Sequence, residues 1–317
     1  MGNLVTPNTI QRLQTALYEK AKREPNYRFY SLYDKIYRPD ILGFAYRSAR
    51  ANRGAPGVDG ETFADIEARG VDEWLGVLAK ELREETYKPG PVRRVLIPKP
   101  NGKMRPLGIP NLKDRVIQTA AVLVLGSIFE ADLAEEQYAY RSGKKAITAV
   151  ETVQCLMNRD RYLQIVDTDL SGYFDVIPHD KLIKAVVRRV LDGKVIHLIK
   201  MWLKAPVVEQ DKSSGTNNKV TQDNNDVGTP QGAVISPLLS NIYMREFIVA
   251  WKGTGCEKKY GGKVVNYADD LVICCKRDAK GALEDMKGLM EGLGLMVNEE
   301  KTKTCVMPGD EFSFLVF

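Results

Sequence analysis

Histidine is nearly absent. The 317 residues hold only His179 and His197, which excludes a catalytic or metal centre built on several imidazoles. Cysteine is scarce as well. The five present (Cys155, Cys256, Cys274, Cys275 and Cys305) are odd in number and form no C-x-x-C pair. Neither a disulfide framework nor a zinc ribbon fits them, and a reducing cytoplasm suits the chain. No apolar run approaches the ~20 residues that span a bilayer; the longest is 120–129. A basic segment followed by an apolar one is missing at the start, so no secretory signal is expected. Met1-Gly2-Asn3-Leu4-Val5-Thr6 fits the N-myristoylation pattern, but the pattern is loose and stands alone, so no membrane partner is expected. There is no internal repeat or low-complexity block. What remains is 44% hydrophobic and 27% charged, enough to bury a core, in a length that admits one large domain or two ordinary ones.

Charge is balanced overall, with 46 basic against 41 acidic residues and a net +5. Its distribution says more. Between Thr86 and Lys113 stand Lys88, Arg93, Arg94, Lys99, Lys103, Arg105 and Lys113, with no acid among them. A solvated face can look like this. Here, though, turn-forming Pro and Gly flank the apolar Val95-Leu96-Ile97, which predicts two short strands joined by a basic turn, a shape suited to phosphates.

Around that hairpin the periodicity predicts helices over 35–53, 63–82, 114–130 and 146–157, with a weaker polar helix (Ile10, Leu13, Leu17) inside the first 30 residues. Later the pattern changes. A strand over 162–170 ends in carboxylates, and Asp180 reads as the N-cap of a helix over 181–191 closed by Gly193. Residues 209–227 read as a polar loop. Strands 263–267 and 271–275 flank Ala268-Asp269-Asp270, and a helix over 282–292 precedes a short strand over 312–317. This order predicts an α+β unit whose helices lie on one face of an antiparallel sheet.

Apolar strands that end in Asp are unusual, because an unpaired buried carboxylate is costly and coordination removes that cost. If the strands bearing Asp169, Asp269 and Asp270 are neighbours, three hard-oxygen ligands converge, with no imidazole or thiolate among them. That set suits Mg²⁺, or Mn²⁺, and two such ions can serve a phosphoryl transfer. Adjacent Asp residues also occur in ordinary surface turns, and spacing alone leaves the two readings level.

The surrounding words separate them. Tyr267-Ala268-Asp269-Asp270 resembles the Y-x-D-D box of reverse transcriptases, and Asp169-Leu170-Ser171-Gly172-Tyr173-Phe174-Asp175 resembles that family's first catalytic segment. Gly228-Thr229-Pro230-Gln231-Gly232, continuing through Ser236-Pro237-Leu238-Leu239-Ser240-Asn241-Ile242, is similar to a segment of the group II intron branch. So is the stretch from Ile97-Pro98-Lys99-Pro100 to Met104-Arg105-Pro106-Leu107-Gly108-Ile109-Pro110, followed by Asp114-Arg115-Val116-Ile117-Gln118. Gly54-Ala55-Pro56-Gly57-Val58-Asp59-Gly60 resembles the word that closes the N-terminal extension, and Leu293-Gly294-Leu295-Met296-Val297-Asn298-Glu299-Glu300-Lys301-Thr302 a segment near the end of the palm. The matches keep family order over about residues 30–317.

The resemblance implies an α+β right-hand polymerase fold of fingers and palm: an extension over 1–30, fingers over 31–115 and 181–227, palm over 116–180 and 228–317. It implies that Asp169, Asp269, Asp270 and the Leu170 carbonyl hold two Mg²⁺ ions, with Asp167 as a rival ligand. Lys99 and Arg105 would hold the triphosphate, Phe174 would exclude a ribose 2′-oxygen, and Gln231 and Gly232 would approach the nucleotide. Arg93, Arg94, Lys103 and Arg115 would meet RNA, and Lys301 would be solvated or would protonate pyrophosphate. The implied partners are an RNA template, a DNA primer, deoxynucleoside triphosphates and intron RNA, in a cytoplasm of bacterial or organellar type. A CRISPR-associated setting shares these words, so the genetic context stays open. Retron and diversity-generating relatives fit less well at 229–232, and an RNA-templated RNA polymerase fits less well because Tyr267-Ala268 replaces its usual glycine. Phe312-Ser313-Phe314-Leu315-Val316-Phe317 has Val where the family has Gly, and no thumb, maturase or endonuclease words follow. A fingers–palm portion with weak grip on its duplex is therefore expected. The competing reading is a fragment that docks intron RNA through its basic N-terminal half without turnover.

Overall fold

A computed structural model describes residues 4–98, 102, 104–210, 218–221 and 226–315. Lys99, Lys103 and the last two residues, 316–317, lie outside the described residues. The element order is α1 (Asn8–Arg23), α2 (Tyr33–Ile36), α3 (Pro39–Ala51), α4 (Phe63–Arg69), α5 (Val71–Arg83), β1 (Val92–Pro98), β2 (Met104–Ile109), α6 (Leu112–Glu130), α7 (Ala146–Asn158) and β3 (Gln164–Asp169). It continues with α8 (Tyr173–Val176), α9 (His179–Val187), α10 (Gly193–Leu203), β4 (Val207–Gln210), β5 (Asn218–Thr221), α11 (Ser236–Gly253), α12 (Cys256–Tyr260), β6 (Lys263–Tyr267), β7 (Asp270–Cys275), α13 (Ala279–Gly292) and β8 (Lys303–Val306). The chain forms two compact units, Met1–Asp132 with Val186–Ser236, and Leu133–Ala185 with Pro237–Phe317.

In the first unit, α6 is the central strut. Val116, Ile117, Ala120, Ala121, Val124, Leu125 and Ile128 are all buried, and a helix apolar on every side must sit inside. It packs against α1 and α3, which places 116–130 in this unit. The first 30 residues are no loose appendage either. Ile10, Leu17 and Ala21 form a buried stripe on α1, and Phe29 exchanges backbone hydrogen bonds with Arg189 and Leu191 (both 2.7 Å). Arg189, itself buried, donates to the carbonyls of Ala21 (2.8 Å), Glu24 (3.1 Å) and Pro25 and pairs with Asp132.

Local rules explain where the elements depart from the sequence reading. The expected helix over 35–53 breaks because Pro39 cannot continue a helix but can open one, so α3 starts there. The one over 63–82 breaks at Gly70, whose φ of +103° ends α4, a helix that Thr62 and Asp65 open with a capping box. The helix expected over 181–191 begins at His179, with Asp180 in its first turn, and ends at Val187. Gly193 does not close it. Instead it opens α10, capped by the Asp192 carboxylate, which accepts from Lys194 (3.1 Å) and Val195 (3.3 Å). The polar stretch 209–227 contains strand: β4 pairs parallel with β1 and antiparallel with β5, giving sheet order β2-β1-β4-β5. Pairing with an existing sheet edge there overrides weak strand propensity.

A buried polar chain ties this unit together. Trp202 Nε1 donates to the Tyr87 hydroxyl (2.9 Å), which donates to Asp114 (2.6 Å), while the Gly90 N–H donates to the other carboxylate oxygen (3.0 Å). Burial pushes the Asp114 carboxyl up to about 6 despite these donors. A raised acid stabilises the fold below its unfolded value of 3.8 and loses that contribution as pH climbs through about 6. The stability advantage of wild type over the non-titrating Asp114→Asn should therefore shrink by about 2 kcal/mol between about pH 4.5 and about pH 7.5. Denaturant unfolding of both proteins at the two pH values reads this; an advantage that grows with pH would mean that the donors, not burial, dominate.

The second unit is built on an antiparallel sheet in the order β6-β7-β3-β8, α+β as expected, though its helices lie on both faces rather than one. Period-two alternation divides its side chains. One face carries Val166, Leu271, Ile273 and Cys275, all buried, and is backed by helices. A Cβ on Gly262 would lie 2.9 Å from Trp251 of α11 and 3.3 Å from Ile273, and Gln164 accepts from the first amide of α13 (2.8 Å). The other face carries Ile165, Val265, Val272, Cys274 and Cys305, packed with Ala149 and Val153 of α7. That helix covers only one end of the face. At the other end stand Asp167, Asp169 and Asp270. The strand expected over 312–317 is not formed in 312–315; Phe312, Phe314 and Leu315 pack onto the α7 cluster instead, and the fourth strand is β8.

Candidate active site

The acids come together through register. In the β3–β7 ladder Asp169 is directly opposite Asp270, and Asp167 lies two residues back on the same face. Tyr267 pairs with Asp270 across the β6–β7 hairpin, so Ala268 and Asp269 form its two-residue turn. Ala268 takes φ +57°, the left-handed backbone that such short turns require. The turn is held from below by Asn266, fully buried, whose amide donates to the carbonyls of Ala268 (2.9 Å) and Asp270 (3.1 Å). Sequence reasoning missed Asn266; the signal was an amide in an otherwise apolar strand, since a buried amide needs fixed partners.

Crowding marks the carboxylates. Burial, then the charges of Asp269, Asp169 and Asp167, push Asp270 up to about 6. Burial likewise raises Asp167, against the Ser313 amide and Lys303. Asp169 is met by Lys301, Nζ to Oδ2 2.6 Å. At Leu170 the strand bridges to Val297: Asn298 donates to the Asp169 carbonyl (2.9 Å) and Ser171 to that of Met296 (3.1 Å). In an antiparallel bridge this pattern turns the N–H and C=O of Leu170 itself away from Val297, towards the side of β7. Among the described residues no three His, Cys, Asp or Glu side chains already close around a cation position. The donor set nonetheless fits a hard divalent ion. It consists of carboxylate and carbonyl oxygens on paired strands, whose mutual repulsion a cation would relieve.

Phe174 follows the same strand. Gly172 turns the chain with φ +55°, and Tyr173 anchors α8 by donating to the Ser240 carbonyl (2.7 Å). Phe174 is left half-buried, edge-on to Tyr173 (5.6 Å between ring centres) and Tyr140 (6.5 Å).

The remaining candidates lie in the first unit. β1 and β2 form the expected hairpin, with Arg105 exposed opposite Ile97. Gly108 donates its N–H to the Gln231 carbonyl (2.5 Å), and Gly232 takes φ +103°. A Cβ on Gly232 would collide with the Gly108 carbonyl, and one on Gly108 would lie 2.7 Å from Val92. Strand and turn therefore meet backbone to backbone, which brings Gln231 and Gly232 to the strand bearing Arg105. Arg93 and Arg115 are engaged inward: Arg93 donates to the Pro56 carbonyl (2.7 Å) and Arg115 to that of Ala55. Asn111 accepts from the Val58 amide (2.9 Å), so the Gly54–Gly60 word is a loop clamped by side chains after β2. Arg94 pairs with Glu209 (2.8 Å).

Comparison with known proteins agrees with this fold. The chain belongs to the reverse transcriptase (RNA-dependent DNA polymerase) family, whose model matches residues 97–317. Among its relatives, the group II intron-encoded protein LtrA of Lactococcus lactis is 36% identical over 69% of this chain, and protein YkfC of Escherichia coli is 33% identical over 93% of it. The match takes in 84% of YkfC but only 34% of LtrA, so this chain spans about a third of the length of that intron protein. Nuclear intron maturase 2 of Arabidopsis thaliana is 33% identical over 34% of the chain and 14% of its own length. A telomerase from Candida albicans shares the fold, with a TM-score of 0.51 at 15% identity, covering 77% of this chain and 47% of the telomerase. None of the helices among the described residues is long and apolar enough to cross a membrane.

Proposed function

We propose that this chain is the fingers and palm of an RNA-templated DNA polymerase of group II intron type, acting by two-metal nucleotidyl transfer. The observation that carries the reading is the register pair Asp169–Asp270, with Asp269 in the adjoining two-residue turn. Those three carboxylates and the Leu170 carbonyl would hold Mg²⁺, with Mn²⁺ as a substitute. When bound, the ions supply Lewis acidity to the attacking 3′-hydroxyl and to the departing pyrophosphate. The protein's own part is orientation. Asn266 fixes the turn that presents Asp269, and β3 fixes Asp169. Arg105, with Lys99, would grip the triphosphate, a guanidinium in a bidentate way and an ammonium as a point charge. Gln231 and Gly232 would line the nucleotide, and Phe174 would occlude the space of a ribose 2′-oxygen. The fingers would be 31–115 with 181–227, and the palm 116–180 with 228–317. The partners are an RNA template, a DNA primer and deoxynucleotides, with intron RNA held through phosphates on the basic first unit, as the likeness to LtrA suggests. The setting would be a bacterial cytoplasm or an organelle.

Primer extension on an RNA template with Mg²⁺ tests this. Extension should occur with dNTPs and not with rNTPs, and Phe174→Val should lower that discrimination at least about tenfold. Equal use of both sugars by wild type would overturn the assignment of Phe174. No extension by wild type with either Mg²⁺ or Mn²⁺ would overturn the polymerase reading.

A further inference from the structure

Among the described residues, Lys301 is the cation whose side chain meets Asp169, and its backbone is fastened to that same residue. Asn298 donates its N–H to the Asp169 carbonyl (2.9 Å). The Asn298 carbonyl then accepts from Lys301 (3.2 Å) and Thr302 (2.9 Å), and its side chain from the Glu300 amide (3.2 Å). Immediately afterwards β8 pairs with β3, Lys303 opposite Asp167. The lysine is thus pinned to β3 on both sides, and its ammonium lies 2.6 Å from the Asp169 carboxylate. The neighbouring Lys303 acts on Asp167 through its charge, while its ammonium donates to the Glu311 carbonyl (2.7 Å). Four carboxylates, Asp167, Asp169, Asp269 and Asp270, share this end of the sheet, and Lys301 is in contact with one of them, Asp169.

We propose that Lys301 is the resident counter-ion of this acid cluster. Its ammonium holds Asp169 while no divalent ion is bound and surrenders that carboxylate as the ion enters. The inference rests on the reading of Asp169, Asp269 and Asp270 as metal ligands and assigns Lys301 a positioning role. A counter-ion that must be displaced competes with the metal. Lys301 therefore stabilises the metal-free protein and weakens metal binding by a related factor, because only the difference between the two states changes affinity.

Thermal unfolding of the full chain in EDTA and along a MgCl₂ titration reads both effects without activity. Lys301→Met should unfold at lower temperature in EDTA, reach half of its Mg²⁺ stabilisation at about two- to fivefold lower Mg²⁺, as an exposed ion pair allows, and converge on wild type at saturating Mg²⁺. Lys301→Arg keeps the charge and should restore the wild-type midpoint. The side chain is 60% exposed, so the variants should fold. An unchanged or higher midpoint in Lys301→Met, while Mg²⁺ stabilises wild type but not Asp269→Asn, would overturn the counter-ion role and leave the metal site intact. Absence of any Mg²⁺ stabilisation in wild type would overturn both.

Discussion

Asp269→Asn is expected to lower primer extension by at least about a thousandfold while leaving the fold unchanged, roughly 4 kcal/mol of lost transition-state stabilisation. The two halves of that expectation have separate origins. The fold does not depend on this carboxylate, because the turn is shaped by Ala268 at φ +57° and tied down by the Asn266 amide through the carbonyls of Ala268 and Asp270. An asparagine keeps the size and one oxygen. What disappears is a charge, and charge is what a divalent ion would need from this position. Asp269 is also the first neighbour whose charge raises the Asp270 carboxyl, so the variant should ionise Asp270 more readily. Steady-state extension with circular dichroism as the fold control decides it. Near-wild-type extension would remove Asp269 from the ligand set.

Arg189→Ala is expected to destabilise the protein by about 3–5 kcal/mol, the range for breaking a buried charge pair on one side. The guanidinium is 3% exposed on its side chain, pairs with Asp132 at 3.1 Å and donates to three carbonyls at the end of α1 and just beyond it. Its removal leaves Asp132 short of its counter-charge and those carbonyls short of donors. Because all three lie between Ala21 and Pro25, the damage should be focused: α1 should become the first segment cleaved in limited proteolysis, ahead of global unfolding. Wild-type stability in the variant, or cleavage elsewhere first, would show that α1 is held by its apolar stripe alone.

The acids were legible because a few words carry them. Strand β6 falls on 263–267 as expected from the sequence, and the turn after it could be read residue by residue. The basic hairpin was readable for the same reason, as turn residues flanked a short apolar run. Less legible were features decided by partners distant in sequence. α11 has no counterpart among the elements the sequence predicts. It is apolar on nearly every side, with Tyr243, Phe247 and Trp251 buried, so it shows no amphipathic period to read. β4 and β5 owe their existence to the edge of β1. Arg93 and Arg115 look from sequence like surface cations for RNA, and only the fold reveals that carbonyls of the Gly54–Gly60 loop engage them. Arg189 was invisible for the opposite reason: one arginine among many, distinguished only by where it is buried.

The backbone contact between Gly108 and Gly232 has a mechanical consequence. With a hydrogen bond joining Gly108 to Gln231, and no room for a Cβ on Gly232 beside the Gly108 carbonyl, the strand that carries Arg105 and the turn that carries Gln231 behave as one lever. Whatever pulls on the arginine drags the glutamine with it. A shift of this strand would carry both residues together, and a bulkier residue at Gly232, forced against the Gly108 carbonyl, would part them.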